Sequence, residues 1–185
     1  MKAIDILNYS TEENTTRYKH LTKCHELGQY ILSDSKIDNS VKEKLLNTIL
    51  LHDIGYSDVI KKTGIHSIDG YQYLEDNYKD ICYHKAIIFH SDFINGCPDE
   101  YKNYVQEIYD SLTDLEFAAL IILEYCDTHV DGYGNEVTIE DRMNDLYARY
   151  SNNPEALTTF NRFKENALHI ERIINRILDI LPTLK

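Results

Sequence analysis

The chain has 185 residues, 43% of them apolar, enough for a substantial core. Its net charge of −12, with no run of lysine or arginine, disfavours long nucleic acids and acidic membrane surfaces as partners. Only three prolines and seven glycines interrupt it, which favours helices over a sandwich of many short strands.

Thr15 or Thr16 suits the cap of a first helix running to about residue 33. His20, Cys24, Leu27 and Ile31 share one face of it, so His20 points toward the core. A polar turn over 34–40 leads to a second helix over about 40–53. There Val41, Leu45, Thr48 and His52 recur at helical spacing, so His52 ends an inward stripe. Asp53 follows directly, and Gly55 suits the left-handed residue that closes many helices. After a connection containing Gly64, His66 or Ser67 opens a helix with Ile68, Tyr71 and Leu74 as apolar positions. A helix over about 80–91 puts His90 on the face of Ala86 and Ile87, while His84 reads as a surface or packing histidine. Asn95, Gly96 and Pro98 mark a loop, and a short helix follows over about 100–109.

Thr113, with Glu116 at capping-box distance, opens a helix over about 114–128. It is almost wholly apolar and is expected to be the most buried. Asp127 falls near its C-terminus, where the negative end of the helix dipole disfavours a carboxylate unless a cation is near. Residues 131–137 read as a turn, and Thr138 caps the next helix. A last helix over about 154–181 offers Ile170, Ile173, Ile174, Ile177 and Leu178 as its buried stripe. The four cysteines, Cys24, Cys82, Cys97 and Cys126, form no C-x-x-C pair. The first residues lack the features of a signal peptide, and no apolar run is long enough to span a bilayer. A cytoplasmic protein is expected, with one domain over 1–185.

Four residues from three separate stretches stand at inward positions or helix ends: His20, His52, Asp53 and Asp127. Two imidazoles and two carboxylates make a borderline-to-hard donor set. It suits iron, manganese, zinc, cobalt or magnesium better than copper(I) or a cluster. His66 and His90 could extend the set toward a second ion bridged by Asp53, making one or two divalent ions in all.

The order H…HD…H…H…D, carried by RYKH at His20, LLHDIGY, GIHSIDGYQYL, FHSD and YCDTHVDGYGNEVTIEDRMNDLYARY, resembles the HD superfamily of metal-dependent phosphohydrolases. The resemblance covers about residues 17–150. It implies an all-α fold, a compact bundle of about seven to nine helices with the metal site at its centre. The core would span about 15–150, with the helix over 154–181 packed on it. The resemblance also implies hydrolysis of a phosphate ester, of a nucleotide or another small phosphorylated metabolite. His20, His52, Asp53 and Asp127 would hold the principal metal, and His66 and His90 match histidines that hold a second ion in binuclear members. The gap from HD to His66 is short and no paired HH follows, so the chain does not match the cyclic-dinucleotide branch.

The expected mechanism uses metal-activated water. Asp53 would orient the water and take its proton, and His66 or His90, when free of metal, would act as acid or bind phosphate. Lys61 and Lys62 are the first candidates for holding the phosphate. Arg17 and Arg142 read as structural, pairing with carboxylates such as Glu26 or Asp127. Two alternatives stay open: a di-iron oxygenase of the same ligand type, with Tyr56 lining the site, and a non-catalytic regulatory module that binds a metal or nucleotide. Composition leaves room for a homo-oligomer.

Overall fold

A computed structural model describes residues 1–184, apart from the side chains of residues 154–156. The described residues form an all-α fold with no strand among them; an isolated bridge pairs Val130 with Glu136. The helices are α1 Ala3–Ser10, α2 Thr16–Ile31, α3 Asn39–Leu51, α4 His66–Tyr78, α5 His84–Phe89, α6 Phe93–Gly96, α7 Lys102–Asp110, α8 Asp114–Thr128, α9 Ile139–Arg149 and α10 Pro154–Ile180. Among the described residues, no helix is long and apolar enough to cross a membrane.

Helix α8 is the axis of the molecule. Thr113 caps it: its side chain accepts from the Glu116 amide at 3.2 Å, and Glu116 accepts from the Thr113 amide at 2.8 Å. It packs against α2, α3, α5 and α10. Ile121, Ile122, Leu123 and Cys126 are buried on it, together with the carboxyl groups of Glu124 and Asp127. Each buried aliphatic side chain contributes about 1.5–3 kcal/mol, which offsets much of the cost of carrying two acids inward.

Helix α1 lies outside the elements expected from sequence. Ala3, Ile6, Leu7 and Ser10 are buried at helical spacing, and α1 packs on α3. Lys2 stands at its cap position, where its amide donates to Asp5 at 2.9 Å, so the usual Ser, Thr or Asn signal is missing. The stripe of α10 starts earlier than expected. Phe163, Ala167, Ile170 and Ile174 are buried, and Phe163 and Ala167 pack with Ile139 and Met143 of α9.

Three turns differ from expectation. Helix α3 ends at Leu51, with His52 as its C-cap, and the chain passes into a short 3-10 turn, Ile54–Tyr56. Gly55 lies inside that turn and has no positive φ. Its need is space: a Cβ there would sit 1.9 Å from the His66 carbonyl oxygen and 2.6 Å from the Gly70 nitrogen. Helix α5 stops at Phe89, because Ser91 and Asp92 take left-handed angles, φ 60 and 59. Such angles cost non-glycine residues roughly 1–2 kcal/mol each. Gly96, expected in a loop, closes the four-residue α6.

Candidate metal centre

The ends of five helices converge on one point. His20 comes from α2, His52 and Asp53 from the end of α3, His66 from the start of α4, His90 from the end of α5 and Asp127 from the last turn of α8. All but His66 are buried. The structure therefore brings together all six residues singled out as ligands.

Backbone carbonyls set how the rings face. His20 Nδ1 lies 2.9 Å from the Asp131 carbonyl, His52 Nδ1 2.8 Å from that of Ile49, and His90 Nδ1 2.5 Å from that of Ile87. A carbonyl only accepts, so each Nδ1 carries a proton and Nε2 is the ring atom left to face the centre. The Asp131 carbonyl reaches His20 because the 131–137 loop rests on α2. Gly134, at φ 85, permits the approach: a Cβ would lie 2.8 Å from the Lys19 oxygen.

The Nε2 atoms meet the two carboxylates. His20 Nε2 stands 3.1 Å from Asp127 Oδ1, and His52 Nε2 stands 3.8 Å from that oxygen and 3.7 Å from Asp53 Oδ2. Asp53 Oδ1 faces the other way, 3.1 Å from His90 Nε2 and 3.5 Å from His66 Nε2. Asp53 thus joins two donor sets. His66 Nε2 and His90 Nε2 are 3.2 Å apart, so a proton or a cation must lie between their lone pairs. His52 Nε2 is buried with no hydrogen-bond partner among the described residues. A buried, unsatisfied nitrogen aimed at carboxylates is what a metal ligand requires, and the residues fit a metal ion on that ground. Among the described residues, three groups of donors lie close enough to hold one: His20, His52 and Asp53; Asp53, His66 and His90; and His20, Cys24 and Asp127.

Electrostatics agree with this arrangement. Burial disfavours charge on His52 and His66 and lowers each to about 4, leaving the lone pairs free. Burial also opposes charge on His90, but its hydrogen bond to Asp53 pushes it up to about 9. Burial works against ionisation of Asp53, yet His52, the His90 hydrogen bond and Arg17 together hold its carboxyl well below the usual range. Asp127 is likewise held low against burial, by the His20 hydrogen bond, the His52 and His20 rings and Arg142.

A cavity of about 210 Å³ opens onto the centre. His20, Asp53, His66 and Asp127 form its floor, and Arg17, Arg142 and Arg149 stand around it with Tyr56, Tyr150 and Phe160. Arg17 forms an ion pair with Asp53, and its guanidinium lies 4.1 Å from the centre of the Tyr56 ring. The other neighbour of that ring is His66, stacked at 4.0 Å. Arg142 Nη2 is 3.7 Å from Asp127, the pairing expected from sequence, and its Nε is buried without a hydrogen-bond partner among the described residues.

Lys61 and Lys62, the first candidates for holding phosphate, do not line the cavity. Both are exposed, and Lys62 pairs with Asp76 at 3.9 Å. The cause is Asp69 of α4, whose carboxylate accepts from the amides of Thr63 and Gly64 at 2.8 and 3.0 Å and ties down the loop that carries them. Arginines take their place. Arg149 and Tyr150 close the YCDTHVDGYGNEVTIEDRMNDLYARY segment that carries the resemblance, though no role was read for them, and Phe160 gave no signal in sequence, because it reaches the cavity only through the packing of α9 and α10. Cys24 was legible in part, one helical turn after His20 on the same face; its Sγ lies 3.6 Å from His20 Nε2. His84 packs as expected and pairs with Glu75 at 2.5 Å.

No family model, curated protein or solved structure matches this chain. What the centre can do therefore follows from its own donors.

Proposed function

We propose that the chain is a metal-dependent phosphohydrolase of the HD type, acting on a small phosphate ester. The observation that supports this most directly is the juxtaposition of inward Nε2 lone pairs and carboxylates with three arginines around one small cavity. The first feature suits a divalent transition ion, and the second suits an anion brought against it.

His20, His52, Asp53 and Asp127 hold the principal ion, with Asp53, His66 and His90 as the set for a second. A divalent ion in this centre supplies Lewis-acid polarisation of a phosphoryl oxygen and acidifies water. The chain's own residues do the rest. Asp53, held ionised, orients the attacking water and accepts its proton. Arg142 and Arg17 bind the phosphate oxygens, and Arg149 stands at the rim. The leaving oxygen takes up the proton that Asp53 accepted, while His66, a neutral ring that opens onto the cavity, binds the phosphate when no second ion occupies it. Water adds to phosphorus, the ester P–O bond breaks, and the alcohol leaves with that proton. A volume of about 210 Å³ favours a phosphomonoester with a compact organic group.

The joined donor sets also suit a di-iron oxygenase, but the arginines favour an anionic substrate. Metal analysis of protein purified without chelator, followed by a panel of phosphate esters with manganese, iron, cobalt and magnesium, tests the reading. Phosphate release that is lost together with bound metal in Asp53→Ala is expected. Full activity in Asp53→Ala, or oxygen uptake without phosphate release, overturns it.

A further inference from the structure

The 3-10 turn that follows Asp53 ends on Tyr56, and both faces of its ring are occupied. The Arg17 guanidinium lies over the ring at 4.1 Å, and the His66 imidazole stacks on it at 4.0 Å with the planes 12° apart. Two groups this close to one ring centre cannot share a face, so they take opposite ones. Each of them also meets one oxygen of Asp53. Arg17 pairs with Oδ2, and His66 Nε2 stands 3.5 Å from Oδ1.

The backbone places the ring for this. The Tyr56 amide donates to the Asp53 carbonyl at 3.1 Å, and Gly55 lies against the His66 carbonyl where α4 begins. His66 has need of a hold. Backbone carbonyls at Nδ1 fix the rings of His20, His52 and His90. His66 meets His90 and Ser67 through Nε2, the atom that faces the centre, and among the described residues no carbonyl holds its Nδ1. The Tyr56 face sets the plane of that ring instead. Tyr56 itself adds little to the core: it is 50% exposed and lines both the metal-site cavity and a neighbouring one of about 410 Å³.

The geometry points to Tyr56 as a positioning residue: its two ring faces hold Arg17 and His66 on either side of Asp53, one as a cation for the substrate phosphate and the other as a ligand for the second ion. This rests on the proposed metal and phosphate chemistry for its consequence, but the hold on Arg17 can be read without metal. A cation over an aromatic face at a partly exposed site is worth roughly two- to fivefold in an equilibrium, and a stacked ring pair roughly two- to tenfold.

The test uses the full chain with cobalt(II) and inorganic phosphate as probes. Tyr56→Leu keeps an apolar side chain but has no aromatic face. In metal-free protein, NMR relaxation of the Arg17 Nε–H is expected to show a rigid guanidinium in the wild type and a mobile one in Tyr56→Leu. Cobalt titration of Tyr56→Leu should weaken the second ion roughly two- to tenfold. The first ion should bind no more weakly, because freeing Arg17 removes a competing positive charge from Asp53. Cobalt-loaded Tyr56→Leu should bind inorganic phosphate roughly two- to fivefold less tightly. Tyr56→Phe keeps both faces without the hydroxyl and is expected to match the wild type in every measurement. A general loss of structure would weaken both ions alike, so the split between them separates positioning from stability. A rigid Arg17 or an undiminished second ion in Tyr56→Leu, equal weakening of both ions, or a Tyr56→Phe protein that behaves like Tyr56→Leu overturns the proposal. A wild-type chain that binds no divalent ion overturns the metal centre instead, and the relaxation of Arg17 then decides the positioning role alone.

Discussion

Replacing Gly55 by alanine isolates a single steric cause. The backbone angles at Gly55 are ones any residue adopts, so alanine meets no conformational penalty there. Its Cβ, however, would lie 1.9 Å from the His66 carbonyl oxygen and 2.6 and 2.8 Å from the Gly70 nitrogen and His66 carbonyl carbon. All three are backbone atoms, so no side chain can swing aside. The 3-10 turn and the start of α4 must separate by more than an ångström to restore ordinary contact. Overpacking of this kind costs typically 1–3 kcal/mol, and a clash with rigid backbone belongs at or above the upper end. For a chain of this size that predicts a fall in Tm of roughly 6–12 °C. The shift also carries His66 away from Asp53, so second-ion affinity should fall with stability. Gly70→Ala is the control: its Cβ would approach Gly55 no closer than 3.3 Å, a contact relieved by a few tenths of an ångström. Thermal and urea unfolding of both variants measures the difference. A Gly55→Ala protein as stable as Gly70→Ala would refute the close-packing account of this glycine.

Three other outcomes are expected. A divalent ion present at a hundred times its Kd should stabilise the wild-type chain by about 2.7 kcal/mol. In Tm that is roughly 5–10 °C; the rise should vanish in His52→Ala, and an equal rise in both would place the ion elsewhere. Burial pushes the Glu124 carboxyl up to about 8 from its usual 4.5. A carboxyl that binds its proton more tightly when folded stabilises the protein fully below the lower value and loses that contribution as pH rises through the higher one. The Tm of the wild-type chain should therefore fall more steeply between pH 5 and pH 9 than that of Glu124→Gln, by the equivalent of a few kcal/mol; parallel profiles would contradict the raised value. Finally, all four thiols are buried and reduced, so a thiol reagent should modify them far more slowly in native protein than in urea, as followed by absorbance. Rapid native labelling of Cys24 would show that the packing around His20 opens.

The helical character, the capped start of α8 and the inward direction of His20, His52 and Asp127 were legible in the sequence. Each is written locally, in spacing along one helix or in a side chain that bonds to its own backbone three residues away. Sequence order also singled out six donors, since a charged or polar residue at the end of an apolar stripe has few other reasons to be there. Short α1 escaped because Lys2 replaces the usual cap. The early end of α5 escaped because two non-glycine residues, Ser91 and Asp92, take left-handed angles that no glycine announces.

The amino-acid order alone therefore determined which side chains face inward, because a helix's periodicity is a property of neighbours a turn apart. Only the tertiary structure decided what they meet. It turned the loop bearing Lys61 and Lys62 outward through Asp69 and brought Arg17, Arg142 and Arg149 around the cavity. It also gave Gly55 its steric role and buried Glu124 beside the cavity that Asp92 lines. The contacts of Arg17 and Arg142 with the aspartates join residues far apart in the chain or in different helices, and no local spacing encodes the distance between two helices that pack.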